Sequence, residues 1–217
     1  MIPLRALLRR IDTPVITLLI IALNTLCFFF ELSLTPAQEN LFIHRYALVP
    51  DHLHLTSLVT YMFLHSGWLH LIGNMWFLWV FGSHIENALG AARFLGFYLL
   101  CGVVSVILQL TMNLGSPIPT LGASGAIAGV MGAFLILYPR ARVVTLIILI
   151  IFITTIEIPA YIMLIYWFAI QLFNGVYTAH AFSDSGGVAW FAHVGGFVAG
   201  ILLLRFFPPA YRRQLHY

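Results

Sequence analysis

Residues 122–138 read Gly122-Ala123-Ser124-Gly125-Ala126-Ile127-Ala128-Gly129-Val130-Met131-Gly132-Ala133-Phe134-Leu135-Ile136-Leu137-Tyr138. The stretch carries no charge, and it is bounded by Pro139 and Arg140. It therefore predicts an apolar helix of membrane type. Gly125 and Gly129 stand in the small-xxx-small pattern that lets two helices approach closely. Taken alone, Ser124 in such a helix reads as a packing residue before it reads as anything chemical.

The rest of the chain extends this reading. Of 217 residues, 61% belong to the hydrophobic set and 8% are charged, whereas a soluble domain is about a quarter charged. A soluble globular domain and a disordered chain are both excluded. Residues 14–30, 94–122 and 143–156 contain no Asp, Glu, Lys or Arg. The net charge of +3 comes without basic or acidic runs, so no nucleic-acid partner is expected. Cys27 and Cys101 fall in apolar segments and read as small core residues. Arg5, Arg9 and Arg10 before an apolar stretch resemble a signal peptide. The stretch is long, and no clear small-residue cleavage site follows it, which favours an uncleaved first helix.

Membrane spans are expected at 13–31, 57–82, 93–113, 122–138, 159–179 and 189–207. Basic residues favour the inner side of a membrane. Six spans with an inner N-terminus put every arginine except Arg45 inside; a seventh span would move Arg205, Arg212 and Arg213 out. The fold class expected is all-α: a compact six-transmembrane-helix bundle with a long first outer loop near 32–56. One domain would fill 1–217, with 1–12 a cytoplasmic N-terminus and 208–217 a cytoplasmic tail. Residues 143–157 become a membrane-embedded or interfacial connection. Val143, Val144, Ile147 and Ile148 allow it to be partly extended where protein covers its backbone.

Polar groups inside a bilayer are costly, usually face the bundle interior, and mark function. Three clusters stand out. In the second span, His70 and Asn74 lie within about 40° of each other on a helix, while His65 lies about 140° from His70. Interhelical hydrogen bonding explains such residues as well as function does. No His-Glu-x-x-His occurs, and no metal is expected. The second cluster is Gly122-Ala123-Ser124-Gly125. The third is Ala192-His193-Val194-Gly195-Gly196, continuing to Gly200. If the glycines of the last helix pack on those of the fourth, His193 reaches Ser124, placing a nucleophile beside a base. An intramembrane pair of acids is not available: of the seven acids, only Glu157 lies in a strongly apolar stretch.

Together, His65/His70/Asn74, Gly122-Ala123-Ser124-Gly125 and His193-Val194-Gly195-Gly196 with Gly200 resemble the rhomboid family of intramembrane serine proteases. The run Glu86-Asn87-Ala88-Leu89-Gly90, taken to follow the second helix, and Gly187-Val188-Ala189-Trp190 resemble that family too. The resemblance implies a minimal six-helix protease that hydrolyses peptide bonds in or near transmembrane segments. It implies Ser124 as nucleophile and His193 as general base, with no cofactor. His70, Asn74 and the Ser124 backbone N–H would form an oxyanion hole. His65 would be a structural hydrogen-bonding residue, with Gly122, Gly125, Gly196 and Gly200 structural near the site.

The implied partners are transmembrane protein substrates and the lipid bilayer. The implied place is a multi-pass position in a prokaryotic inner membrane, with the site opening to the outer side. Ala128 departs from the family, where an aromatic residue commonly packs on the histidine. Trp190, Phe191 or Met131 would have to substitute for it. Tyr166, Trp167, Phe168 and the loop Phe182–Trp190 are candidates for a lateral gate. The competing readings are a catalytically weak rhomboid-like protein that binds membrane clients, and a small transporter. The absence of a visible internal repeat weakens the transporter.

Overall fold

Helix α1 (Val15–Ser33) shows how the chain distributes its side chains. Leu18, Leu19, Leu23, Leu26, Phe29 and Phe30 are exposed, whereas Thr17, Asn24 and Glu31 are buried. A soluble helix does the reverse. Apolar groups outside and partnered polar groups inside suit a surface that meets lipid. The structure is a computed structural model and describes residues 1–10, 12–149, 152–180 and 188–209.

The described chain is mostly helical. After α1 come α2 (Pro36–Tyr46), the short α3 (Ser57–Thr60) and a 3-10 turn (Tyr61–Phe63). Helix α4 (Trp68–Phe77) passes through a π turn (Leu78–Gly82) into α5 (Ser83–Leu89). Gly90, at φ 82°, separates α5 from α6 (Ala91–Met112). Then follow α7 (Ser124–Leu137), α8 (Ala160–His180) and α9 (Trp190–Leu203). Three helical segments, Val15–Ser33, Ala91–Met112 and Ala160–Thr178, are long and apolar enough to cross a membrane. Ser124–Leu137 and Trp190–Phe206 are apolar but shorter.

Two boundaries differ from expectation. The second apolar segment is not one continuous helix from residue 57. Leu64 is extended (φ −92°, ψ 148°), and the long helix starts at Trp68 after Gly67. It then runs on to Leu89, so Glu86 and Asn87 lie inside it rather than after it. The break follows from the residues: Leu64 turns the chain, and Ser66-Gly67 are poor helix formers at the start.

The stretch expected as a long loop carries α2, which starts with Pro36 and a Thr35–Gln38 capping box. Its apolar end, Ala47, Leu48 and Val49, is buried. Leu48 exchanges backbone hydrogen bonds with Thr120 at 2.9 and 2.8 Å, which fixes the approach to Ser124.

The β-branched connection is extended. β1 (Ile2–Ala6), β2 (Arg142–Leu149) and β3 (Phe152–Pro159) form an antiparallel sheet in that order. Ala6 pairs with Val143, and Val144 with Glu157. The N-terminal strand thus supplies the protein cover that extended backbone needs on one edge of β2. Glu157 is not an acid inside the bundle. It is half exposed, 3.6 Å from Arg142. The buried acids are Glu31 and Glu86. They stand near opposite ends of α1, so no buried carboxylate pair forms among the described residues.

Helix α7 is the centre. Every residue from Gly125 to Phe134 is buried. A Cβ on Gly196 would collide with the carbonyl oxygen of Gly125, and one on Gly200 with that of Gly129. A Cβ on Gly132 would meet the carbonyl oxygen of Phe197. Helices α7 and α9 therefore touch backbone to backbone along a seam that only glycine permits.

Candidate active site

The glycine seam decides where the reactive groups meet. Ser124 is the first residue of α7 and His193 lies in the first turn of α9. With the helices pressed together, His193 Nε2 lies 2.7 Å from Ser124 Oγ. On its other side, His193 Nδ1 lies 2.8 Å from the amide oxygen of Gln171 on α8. His193 and Gln171 are both buried, while Ser124 is partly open. The ring of Trp167 lies against His193, with centroids 5.8 Å apart at 35°, and Trp190 meets it edge-on at 6.2 Å.

Trp167 and Trp190 thus flank the imidazole that an aromatic at position 128 would otherwise support. Ala128 itself is fully buried. Of the three substitutes expected from sequence, Trp190 makes a ring contact with His193; Trp167, a gate candidate from sequence, makes the other.

Three donors gather beside Ser124. The serine's own backbone N–H, at the first turn of α7, has no acceptor among the described residues, as the first helical N–H groups ordinarily lack one. Gly122 sits at φ 116°, a conformation that favours glycine. A Cβ there would lie 2.7 Å from His70 Nε2 and 3.4 Å from Asn74 Nδ2, so both side chains reach over this backbone. Ser66 Oγ lies 3.1 Å from His70 Nδ1 and holds the far side of that ring.

His65 belongs to the same cluster. A continuous helix would set it about 140° from His70. In the non-helical turn before Trp68, His65 Nε2 instead accepts from Asn74 Nδ2 at 3.0 Å, and its ring lies 5.1 Å from that of His70. Glu31 accepts from the His65 backbone N–H at 3.2 Å. Asn74 spends one amide hydrogen on His65 and keeps the other.

The structure therefore brings Ser124, His193, His70, Asn74 and His65 together, with Gly122, Gly125, Gly196 and Gly200 at the close contacts. Gln171 is the residue the sequence reading missed. A signal for it exists: it is a polar side chain in a largely apolar helix, one turn after Trp167. Within the expected Phe182–Trp190 loop, residues 182–187 lie outside the described residues, as do residues 210–217 of the expected tail.

A serine hydroxyl held on a buried imidazole, inside a bundle with an apolar exterior, defines a class of membrane-embedded serine–histidine proteins. The chain belongs to the rhomboid family: the model of the rhomboid domain matches residues 52–209. It is 35% identical over 126 residues to the mitochondrial presenilin-associated rhomboid-like protein of Bos taurus, covering 57% of this chain and 33% of that one. It is 33% identical over 109 residues to the mitochondrial Rhomboid protein 1 of Saccharomyces cerevisiae, covering 47% and 31%. It is 42% identical over 78 residues to rhomboid protease GluP of Bacillus subtilis, covering 36% and 15%. The matches thus span about a third or less of these relatives' length.

Family and apolar helices together mark an integral membrane protein connected with intramembrane proteolysis. Two of these relatives are mitochondrial, so the likeness does not single out a prokaryotic inner membrane.

Proposed function

We propose that this chain is an intramembrane serine endopeptidase that hydrolyses peptide bonds in or near the transmembrane segments of other membrane proteins. The observation that carries the proposal is the 2.7 Å approach of His193 Nε2 to Ser124 Oγ in a member of this family. The Ser124 hydroxyl passes its proton to His193 Nε2 as Oγ attacks the scissile carbonyl carbon. The carbonyl oxygen, now an oxyanion, accepts hydrogen bonds from the Ser124 backbone N–H, Asn74 and His70. His193 returns the proton to the leaving amine, and an acyl-enzyme remains on Ser124. Water then repeats the sequence with His193 as base and frees the carboxylate. A substrate helix must unwind first, since its carbonyls are otherwise hydrogen-bonded internally.

In this reading the whole chain is one rhomboid-like domain of six membrane-crossing segments. Helix α4 with α5, α7 and α9 join the three longer spans. The arginines mark the inner side of its membrane, and the Ser124 end of α7 opens toward the outer side. Helix α8 borders the route by which a substrate enters.

The test is cleavage of a transmembrane substrate by the purified full chain, beside Ser124→Ala and His193→Ala. Cleavage by the parent and by neither variant is expected. A fluorophosphonate should label Ser124 and nothing else. Parental rates from Ser124→Ala would overturn the assignment and leave the client-binding reading.

A further inference from the structure

We propose that Gln171 is a positioning residue that selects the working tautomer of His193. The proposal rests on the serine–histidine reading above. Gln171 is 6% exposed and stands on α8, whereas the pair it serves stands on α7 and α9. Its amide has a defined orientation. The nitrogen end donates to the backbone oxygen of Trp167 at 3.3 Å, one turn earlier in the same helix. The oxygen end is thereby turned to His193 Nδ1, at 2.8 Å.

An amide oxygen can only accept, so Nδ1 carries the hydrogen. A neutral imidazole has one N–H, so Nε2 is left with its lone pair, and Nε2 is the atom 2.7 Å from Ser124 Oγ. The hydrogen-bond chain runs in one direction: Ser124 O–H to His193 Nε2, then His193 Nδ1–H to Gln171. Without Gln171, the hydrogen is free to sit on Nε2, where it faces the serine as a donor and cannot take the proton. Gln171 also stabilises the imidazolium formed during attack, as a neutral counterpart of the acid in serine–histidine–aspartate enzymes. A neutral acceptor suits this place, because an unpaired carboxylate buried among apolar helices is costly.

The alternative is that Gln171 merely fills space between α8 and α9. Two variants of similar size separate the two roles. Gln171→Met keeps volume and apolar packing but removes the carbonyl oxygen. Gln171→Glu keeps a carbonyl oxygen at the same reach but introduces a group that packs worse in an apolar setting. A packing role ranks Met above Glu; a positioning role ranks Glu above Met.

The experiment measures kcat and KM for a transmembrane substrate, and the rate of fluorophosphonate labelling of Ser124. It uses the detergent-solubilised full chain, with melting temperature recorded for each variant. Gln171→Met should lose kcat by about 10–100-fold, a fraction of what a positioned base supplies. KM should stay within about twofold, and Ser124 labelling should slow in parallel with kcat. Gln171→Glu should recover most of that loss. If Gln171→Met keeps kcat within about threefold of the parent, or exceeds Gln171→Glu in both kcat and labelling rate, the assignment is overturned. Failure of the underlying reading looks different: Ser124→Ala would still cleave, or the probe would label elsewhere.

Discussion

Two buried polar clusters lie at the two ends of this bundle, and they are built on opposite plans. At one end, Glu86 of α5 meets the start of α1. Its Oε1 accepts from the Ile16 N–H at 2.8 Å, and its Oε2 from the Thr17 N–H at 2.7 Å and the Thr17 hydroxyl at 2.8 Å. These are first-turn N–H groups of α1 that lack intrahelical acceptors, and a carboxylate there also meets the positive end of the helix dipole. Next to it, Asn87 and the Asp12 backbone exchange hydrogen bonds, both at 3.0 Å. Both oxygens of the carboxylate are engaged, and the result is a clamp.

At the other end, the Ser124 backbone N–H, one Asn74 amide hydrogen and His70 Nε2 have no partner among the described residues. A saturated cluster of this kind fastens helices; an unsaturated one is prepared for something that is not yet there. Burial alone does not tell the two apart.

Mutations can break this contrast from either side. The largest effect belongs to Ser124→Ala and His193→Ala. Each should cut cleavage of a transmembrane substrate by at least about 10³-fold, with the melting temperature in detergent hardly changed. Asn74→Ala comes next, with about 10²–10³-fold lost from kcat as an oxyanion donor disappears. His70→Ala should fall in or below that range, and neither should weaken fluorophosphonate labelling as much as His193→Ala does.

Glu86→Ala should act the other way round. It removes the acceptor of three hydrogen bonds and should lower stability by about 2–3 kcal/mol, read as a drop in melting temperature. At temperatures below the melt, turnover should fall less than tenfold. The smallest effect is expected from Arg142→Ala. Its ion pair with Glu157 is half exposed, and its loss should cost less than about 1 kcal/mol. A Glu86→Ala variant that keeps its stability but loses turnover would erase the distinction between clamp and site.

Much of this was legible from the amino-acid order. Uncharged runs located α1, α6 and α7 because a spanning helix tolerates few charges. The glycines of α7 and α9 announced a close seam, and their spacing placed His193 near Ser124. What escaped was set by tertiary context. Ser66-Gly67 weaken a helix locally, but the apolar run from 57 to 82 outweighs that signal in the sequence, and the place of His65 is lost with it. The β-branched connection 143–157 suggests extension, but the pairing of β2 with Ile2–Ala6 joins segments far apart in sequence. Glu31 closes the first expected span and Glu86 is expected just after the second, yet each is buried, with a backbone N–H across the bundle donating to it. Gln171 shares a largely apolar helix with other polar residues such as Asn174 and Thr178, and only the arrival of α9 sets its amide apart.

The glycine seam carries one more consequence. Backbones in direct contact pack α7 and α9 as tightly as two helices can, so the serine and the histidine belong to one packed unit. The supports of the imidazole on α8, Trp167 and Gln171, are side chains reaching across, and they move with their own helix. Any displacement of α8 that widens the bundle draws the amide oxygen away from Nδ1 while leaving the 2.7 Å contact to Ser124 within the packed unit. Under the proposed protease reading such an arrangement would act as an interlock: with α8 displaced, His193 would lack its support at Nδ1, so opening and bond cleavage would be successive events rather than simultaneous ones.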